Sequence, residues 1–274
     1  MNVIPVNGAL GARIEGVNLS TPLSNAERDG ILDAFYTYHV IVFPNQDLTP
    51  EQQVQFTELL GPALPHPLST RRTIENWPQV LVLENRPGLR GAPNDYWHSD
   101  ISHMKTPPLA SLLHAREIPE GRGDTMFSNM CAAYDDLSDG LKTTLSQLRA
   151  LHSGEATRAR AAAERSDALP IQDVPPPTSH PVVRHLPEKD RRALFVNPHF
   201  STGFEGMTRE ESAPLMNQLI AGATRPENVY RHRWNAGDFL VWDNRAVMHY
   251  AVRDYDESMV RLMHRTTAGG PVPS

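Results

Sequence analysis

The apolar positions of the chain fall into two rhythms. Short runs rich in Val, Ile, Leu and Phe read as strands, and a few longer stretches repeat at helical spacing. Residues 1–22 read as short extended pieces broken by glycine, as in Ala12-Arg13-Ile14-Glu15-Gly16-Val17. Ser24 stands three residues before Glu27, which is capping-box spacing. A helix from there to about Tyr36 places Ile31, Leu32 and Phe35 on one face. Val40–Phe43 is a continuous apolar run, expected to be a buried strand ended by Pro44-Asn45. Thr49 and Gln52 repeat the capping spacing before a second helix, Pro50 to Leu60, closed by Gly61.

Further strands are expected at Gln79–Glu84, Ala110–Ala115 and Asp124–Ser128, with a Gly- and Pro-bearing loop from Arg86 to Pro93. From Met130 to about Leu148 the pattern turns helical, carried by Ala133, Leu137, Leu141, Leu145 and Leu148. Residues 154–180 hold few large apolar side chains and contain Pro175-Pro176-Pro177. Such a stretch is expected to be a mobile surface lid rather than a domain boundary. Strand signals resume at Pro181–Arg184 and Ala193–Asn197, and a helix is expected over Arg209–Ala221. The tail reads as strands at Tyr230–Trp234, Asp238–Trp242, Ala246–Ala251 and Met259–Thr267. Many short strands with few helices suggest one antiparallel sandwich or barrel over 1–274. No strand leads into a Gly-x-Gly-x-x-Gly turn, so a dinucleotide fold is not supported.

Composition narrows the function classes. The 274 residues carry a formal net charge of −6 and no long basic run, which argues against nucleic acid as a partner. No apolar run approaches the roughly 20 residues that cross a bilayer. The N-terminus lacks the pattern of a signal peptide, and a cytoplasmic location is expected. One cysteine, Cys131, excludes an internal disulfide and a cysteine-built zinc site.

The candidate chemistry starts at Tyr96-Trp97-His98-Ser99-Asp100. Residues two apart in an extended segment point the same way, so His98 and Asp100 can reach one ion. His249 is the best candidate for a third ligand. Two histidines and one carboxylate with open positions suit a non-haem Fe(II) oxygenase. The strand around His249 equally suits a satisfied core histidine. On the last strand, Arg261, Met263 and Arg265 share one face. Two arginines in a covered space need anions, either internal carboxylates or the acidic groups of ligands.

These residues carry a resemblance that runs nearly end to end. It is densest at Gly61-Pro62 to His66-Pro67, at Trp97-His98-Ser99-Asp100 through Thr106-Pro107-Pro108, at Gly123-Asp124-Thr125, and at Trp242-Asp243-Asn244-Arg245 through Met263-His264-Arg265. In this order and spacing the chain resembles the taurine dioxygenase/TfdA-like family of Fe(II)- and 2-oxoglutarate-dependent dioxygenases. The resemblance implies a double-stranded β-helix, or jelly roll, with flanking helices. It implies Fe(II) held by His98, Asp100 and His249. It implies 2-oxoglutarate as cosubstrate, its distal carboxylate on Thr125 and Arg261, and O2 as oxidant. His66, Asn94, Ile101, Phe200 and Arg265 fall on or beside positions that line the primary-substrate pocket. The expected reaction hydroxylates a small, anionic organic molecule, a sulfonate, sulfate ester or carboxylate, and yields succinate and CO2.

The departures concern the substrate. Ser69 and Gly154-Glu155-Ala156 stand where the taurine enzyme has aromatics, and the spacing from His249 to Arg261 is one residue longer. Smaller residues there leave room for something bulkier than taurine. Two alternatives stay open from the sequence: an oxygenase of the same family acting on an amino-acid-derived or carrier-bound substrate, and a jelly-roll binding protein without turnover. Relatives of this kind are commonly dimers or tetramers, so a homodimer or homotetramer is a further expectation.

Overall fold

Alternate residues of the central strands face two different apolar layers, and this period of two organises the chain. The computed structural model describes residues 1–65, 72–89, 91, 94–157, 159 and 175–274. The chain begins with β1 (Asn2–Pro5), β2 (Ala12–Glu15), α1 (Asn25–Tyr38), β3 (Val40–Phe43) and α2 (Pro50–Glu58). It continues through β4 (Thr73–Ile74), β5 (Trp77–Asn85), β6 (Ala110–Glu117), β7 (Thr125–Asn129), α3 (Met130–Asp135), α4 (Asp139–Leu145) and β8 (Arg149–His152). Then come β9 (Thr178–Pro181), β10 (Val183–Leu186), β11 (Arg191–Leu194), β12 (Ser201–Phe204) and α5 (Arg209–Ala223). Four strands close it: β13 (Val229–His232), β14 (Phe239–Asp243), β15 (Val247–Ala251) and β16 (Arg261–Ala268).

The largest sheet has the order β1-β2-β3-β14-β6-β16-β5-β4, and a smaller one the order β13-β7-β15. All pairings in these two sheets are antiparallel except β2 with β3. On β14, Phe239 and Val241 join Ile31, Phe35 and Phe56 in a layer under α1 and α2. Leu240 and Trp242 join Phe127 and Val247 of the small sheet in the other layer. The same division holds on β3 and β6, so the large sheet is covered on both faces. That accounts for the unbroken apolar run Val40–Phe43.

Both expected capping boxes form: the Ser24 and Thr49 hydroxyls accept the backbone N–H of Glu27 and Gln52, whose side chains reach back. The expected helix from Met130 to Leu148 is instead two short helices. Asn129 caps α3, the Ser138 hydroxyl accepts the Leu141 N–H at a fresh start, α4, and Arg149–His152 follows as β8. The apolar spacing continued across a cap that restarts the backbone. The short β12 was also missed, since Ser201-Thr202-Gly203-Phe204 has no clear alternation. Of the expected lid, residues 178–180 belong to β9, paired with β8, while 158 and 160–174 lie outside the described residues. Among the described residues no helix is long and apolar enough to cross a membrane.

Two predictions follow from the packing. Phe239 lies edge-on to Phe56 at 5.3 Å between ring centroids and tilted against Phe43 at 6.2 Å. Phe239→Ala is expected to lower unfolding free energy by about 3–5 kcal/mol in a urea titration. Burial lowers His39 to about 4 and His152 to about 3, from 6.5. The unfolded chain therefore takes up these protons first as pH falls, so stability drops below pH 6.5 and levels off below the folded values. His39 sits in the left-handed C-cap position of α1 at φ 62, which asparagine tolerates. His39→Asn is thus expected to fold and to show a shallower loss of urea midpoint between pH 6.5 and about 4.

Candidate active site

The site forms where the two sheets face one another. His98 is bridged to His249 of β15 by a pair of backbone hydrogen bonds, 3.0 and 2.8 Å. This places the two imidazoles side by side, 4.1 Å between centroids. Asp100 follows two residues after His98, and its Oδ1 lies 3.8 Å from His98 Nε2 and 3.7 Å from His249 Nε2. Ile101, next in the chain, has φ 38, a rare value for a β-branched residue, and the turn it makes carries the chain away from the site. The three side chains are buried, and one ligand atom from each lies within 4.8 Å of the other two.

The protonation states suit a cation. His98 Nδ1 donates to Tyr96 O at 2.9 Å, which leaves the Nε2 lone pair facing Asp100 and His249. Burial lowers both imidazoles, His249 well below the ordinary value, so both are neutral near neutrality. Burial by itself would raise the Asp100 carboxyl. The Arg265 guanidinium, then His249, His98 and the Ser111 hydroxyl, overcome that and hold it well below the usual carboxylate range. Two neutral donors and one carboxylate, too far apart for hydrogen bonds to one another, fit a divalent metal ion.

Beside these residues lies a cavity of about 280 Å³ lined by Thr125, Trp234, His249, Asn94, Arg261 and Arg265, among others. Thr125 comes from β7 and the arginines from β16, so both sheets contribute. Trp234 Nε1 donates to Thr125 Oγ1 at 3.0 Å. An indole only donates, so the threonine keeps its own proton for another acceptor. Arg261 is buried, and its side chain makes one long hydrogen bond, 3.3 Å to Gly123 O. Its Nε is buried with no partner among the described residues. Asp254 and the Tyr255 ring lie nearby, but no carboxylate pairs with it among the described residues. A buried guanidinium with spare donors beside a hydroxyl fits the carboxylate of a small dicarboxylic acid.

The two readings of the arginine pair thus divide. Arg265 has an internal partner: its Nη2 lies 2.6 Å from Asp100 Oδ2. Arg261 has none. Among the other expected pocket residues, Asn94 lines the cavity and pairs through its carbonyl with Ala251 N. Phe200 is buried and packs against the His103 ring at 4.9 Å. Ile101 is next to the metal-site carboxylate, and His66, like Ser69, lies outside the described residues. Three residues have roles at the site that the sequence reading did not assign: Ser111, which donates to Asp100 Oδ2 at 2.7 Å, Asn244, which donates to Ser111 at 2.9 Å, and Trp234, which donates to Thr125. Period-two alternation with Leu113 on β6 was the signal that would have turned Ser111 inward.

Comparison with known proteins agrees with this geometry. The family described as Taurine catabolism dioxygenase TauD, TfdA family, matches residues 2–267. An α-ketoglutarate-dependent sulfate ester dioxygenase of Pseudomonas putida is 36% identical over 281 residues, covering 100% of this chain and 91% of that protein. An α-ketoglutarate-dependent 2,4-dichlorophenoxyacetate dioxygenase of Cupriavidus pinatubonensis is 32% identical, covering 96% of each. The crystal structure of AAD-2 in complex with Mn(II) and N-oxalylglycine aligns with a TM-score of 0.82 at 31% identity, over 99% of this chain and 98% of that one. The chain belongs to the TauD/TfdA family of α-ketoglutarate-dependent dioxygenases.

Proposed function

We propose that the protein is an Fe(II)-dependent member of this family that hydroxylates a small anionic organic molecule. Sulfate esters and sulfonates come first, and carboxylates follow. The observation that carries the reading is a buried His-Asp-His cluster sharing one cavity with a buried Arg261 that has no carboxylate partner among the described residues. When bound, Fe(II), 2-oxoglutarate and O2 supply oxidative decarboxylation to succinate and CO2, coupled to oxidation of a substrate C–H bond. His98, Asp100 and His249 hold the ion. Arg261 and the Thr125 proton hold the distal carboxylate of 2-oxoglutarate. N-oxalylglycine differs from 2-oxoglutarate by an N–H in place of a methylene, so the AAD-2 complex supports the same occupancy.

Arg265 grips the substrate anion. Its Nη2 is engaged by Asp100 and Ser111, while Nε has no partner among the described residues and the side chain lines the cavity. The family resemblance assigns Asn94, Ile101, Phe200 and His66 to the substrate side, and of these Asn94 lines the cavity. The apolar layers keep water from the reacting atoms. The two facing sheets, with β16 and β15 contributing opposite walls, support reading the domain, 1–274, as a double-stranded β-helix. Hydroxylation of the carbon next to the ester oxygen or sulfur gives a product that falls apart, releasing sulfate or sulfite. The sulfate ester and dichlorophenoxyacetate relatives motivate the choice of anions.

Succinate formation with Fe(II), 2-oxoglutarate and a panel of alkyl sulfates, sulfonates and aryloxy acids tests the substrate class. At least one anion is expected to raise turnover above the rate without substrate, and no response across the panel would sink it. His98→Ala and Asp100→Ala are each expected to abolish even the substrate-free rate. Gly123 tests the cosubstrate site: its φ is +73, and a Cβ there would sit 2.9 Å from Arg261 Nε. Gly123→Ala is expected to raise KM for 2-oxoglutarate by roughly tenfold or more, the scale of about 1.4 kcal/mol. An unchanged KM would remove Arg261 from that role.

A further inference from the structure

The two oxygens of Asp100 have different surroundings. Oδ1 faces the two imidazoles at 3.8 and 3.7 Å. Oδ2 accepts from Ser111 Oγ at 2.7 Å and from Arg265 Nη2 at 2.6 Å. Ser111 is fully buried on β6, and its hydroxyl is used to capacity. It donates once, to Asp100, and accepts twice, from Asn244 Nδ2 at 2.9 Å and Arg265 Nη2 at 3.1 Å. With both acceptor positions filled by donors, the one proton has a single direction left. Asn244 is anchored in turn, its Oδ1 accepting from Trp242 Nε1 at 2.8 Å. That bond fixes which end of the Asn244 amide faces Ser111. A relay of defined polarity therefore runs Trp242, Asn244, Ser111, Asp100, with every member buried.

We propose that Ser111 is a positioning residue for the metal carboxylate. With Arg265 it pins Oδ2 away from the ion, so that Asp100 ligates through Oδ1 alone. The inference rests on the reading of His98, Asp100 and His249 as metal ligands and adds what sets the carboxylate's mode of binding. A carboxylate that binds through one oxygen occupies one coordination position, and through two it occupies two. The pinned form leaves the larger number of positions for small ligands, which an oxygenase of this ligand type needs. Arg265 alone does not fix the plane of the carboxylate, because its Nη2 is shared between Asp100 and Ser111. The serine supplies the second point. Outer partners of this kind orient metal ligands and set affinity.

The test is anaerobic titration of the full-length protein with Mn(II), read by metal affinity and by the Mn(II) electron paramagnetic resonance spectrum. Wild type, Ser111→Ala and Ser111→Thr are compared, with circular dichroism to confirm folding. Ser111→Ala is expected to bind Mn(II) roughly 10–100-fold more weakly, with an altered spectrum. Ser111→Thr, which keeps the hydroxyl, is expected to recover the wild-type spectrum and most of the affinity. Wild-type affinity and spectrum in Ser111→Ala would overturn the proposal. So would a folded Ser111→Thr that resembles the alanine variant. Should a serine variant not fold, Trp242→Phe replaces it, since it removes the indole N–H that anchors Asn244 and keeps an aromatic ring against His249. Its expected effect is an altered Mn(II) spectrum, and an unchanged one overturns the relay. Failure of the wild type itself to bind Mn(II) is a separate outcome, which removes the metal reading on which the proposal stands.

Discussion

A single buried carboxylate sets the terms for this structure. Asp100 is 5% exposed between two sheets, where an isolated charge would be neutralised by proton uptake. It stays ionised because Arg265 and Ser111 meet one oxygen and two imidazoles face the other. Those four partners come from different parts of the chain. His98 precedes Asp100 by two residues, Ser111 lies on β6, His249 on β15 and Arg265 on β16. Keeping the charge therefore requires the large sheet to place β6 beside β16 and the His98 segment to pair with β15. The local chemistry and the sheet order depend on each other.

The sheet order rests on strands buried on both faces. On β16, Met263 fills the layer between the sheets, and Arg261 and Arg265 flank it on the same face. One step out of register would send both arginines under α2, into the layer built by Phe43, Phe56 and Phe239. The polar site is thus cut into an apolar face by three substitutions in an otherwise hydrophobic alternation: Ser111 beside Leu113, Arg261 and Arg265 beside Met263. The motif Trp242-Asp243-Asn244-Arg245 divides in the same way. Trp242 and Asn244 serve the site, while Asp243 and Arg245 form a buried ion pair that reaches Glu188 on the other side.

Much of this was legible from the chain. Capping boxes at Ser24 and Thr49 set both early helix starts, because side chain and backbone satisfy each other within four residues. The strands that carry His249 and the two arginines were readable because buried strands advertise themselves by composition. The helix expected over Met130–Leu148 failed for a local reason, since Leu141 and Leu145 keep helical phase with Ala133 across the Ser138 cap. The relay through Ser111 was hidden for another. A serine in a strand carries no chemical signature until its partners are known, and those lie 133 and 154 positions away in sequence. His98-x-Asp100 was visible as a pair, but the meeting of Ser111 and Arg265 on Oδ2 was not.

The division of labour between the two arginines bears on the substrate. The imidazoles are neutral, so Asp100, Arg261 and Arg265 supply the buried charge at the centre of the site. At the cavity rim Glu84 pairs with Arg72 and Arg86, and the one positive charge in excess there sits on largely exposed side chains that solvent screens, so it is left out of the buried count. The balance near the cluster is one positive charge. On the proposed reading, a divalent ion and the dianion of 2-oxoglutarate cancel each other and leave that balance unchanged. A singly charged substrate then brings the buried site to neutrality, which an apolar surrounding favours over any net charge. A neutral substrate would leave Arg265 partly unpaired, and a dianion would overshoot. Sulfate monoesters, sulfonates and aryloxy carboxylates are all monoanions at neutral pH, so charge alone admits the whole group. Discrimination among them falls to shape, and hence to the walls of the cavity that Arg265 lines.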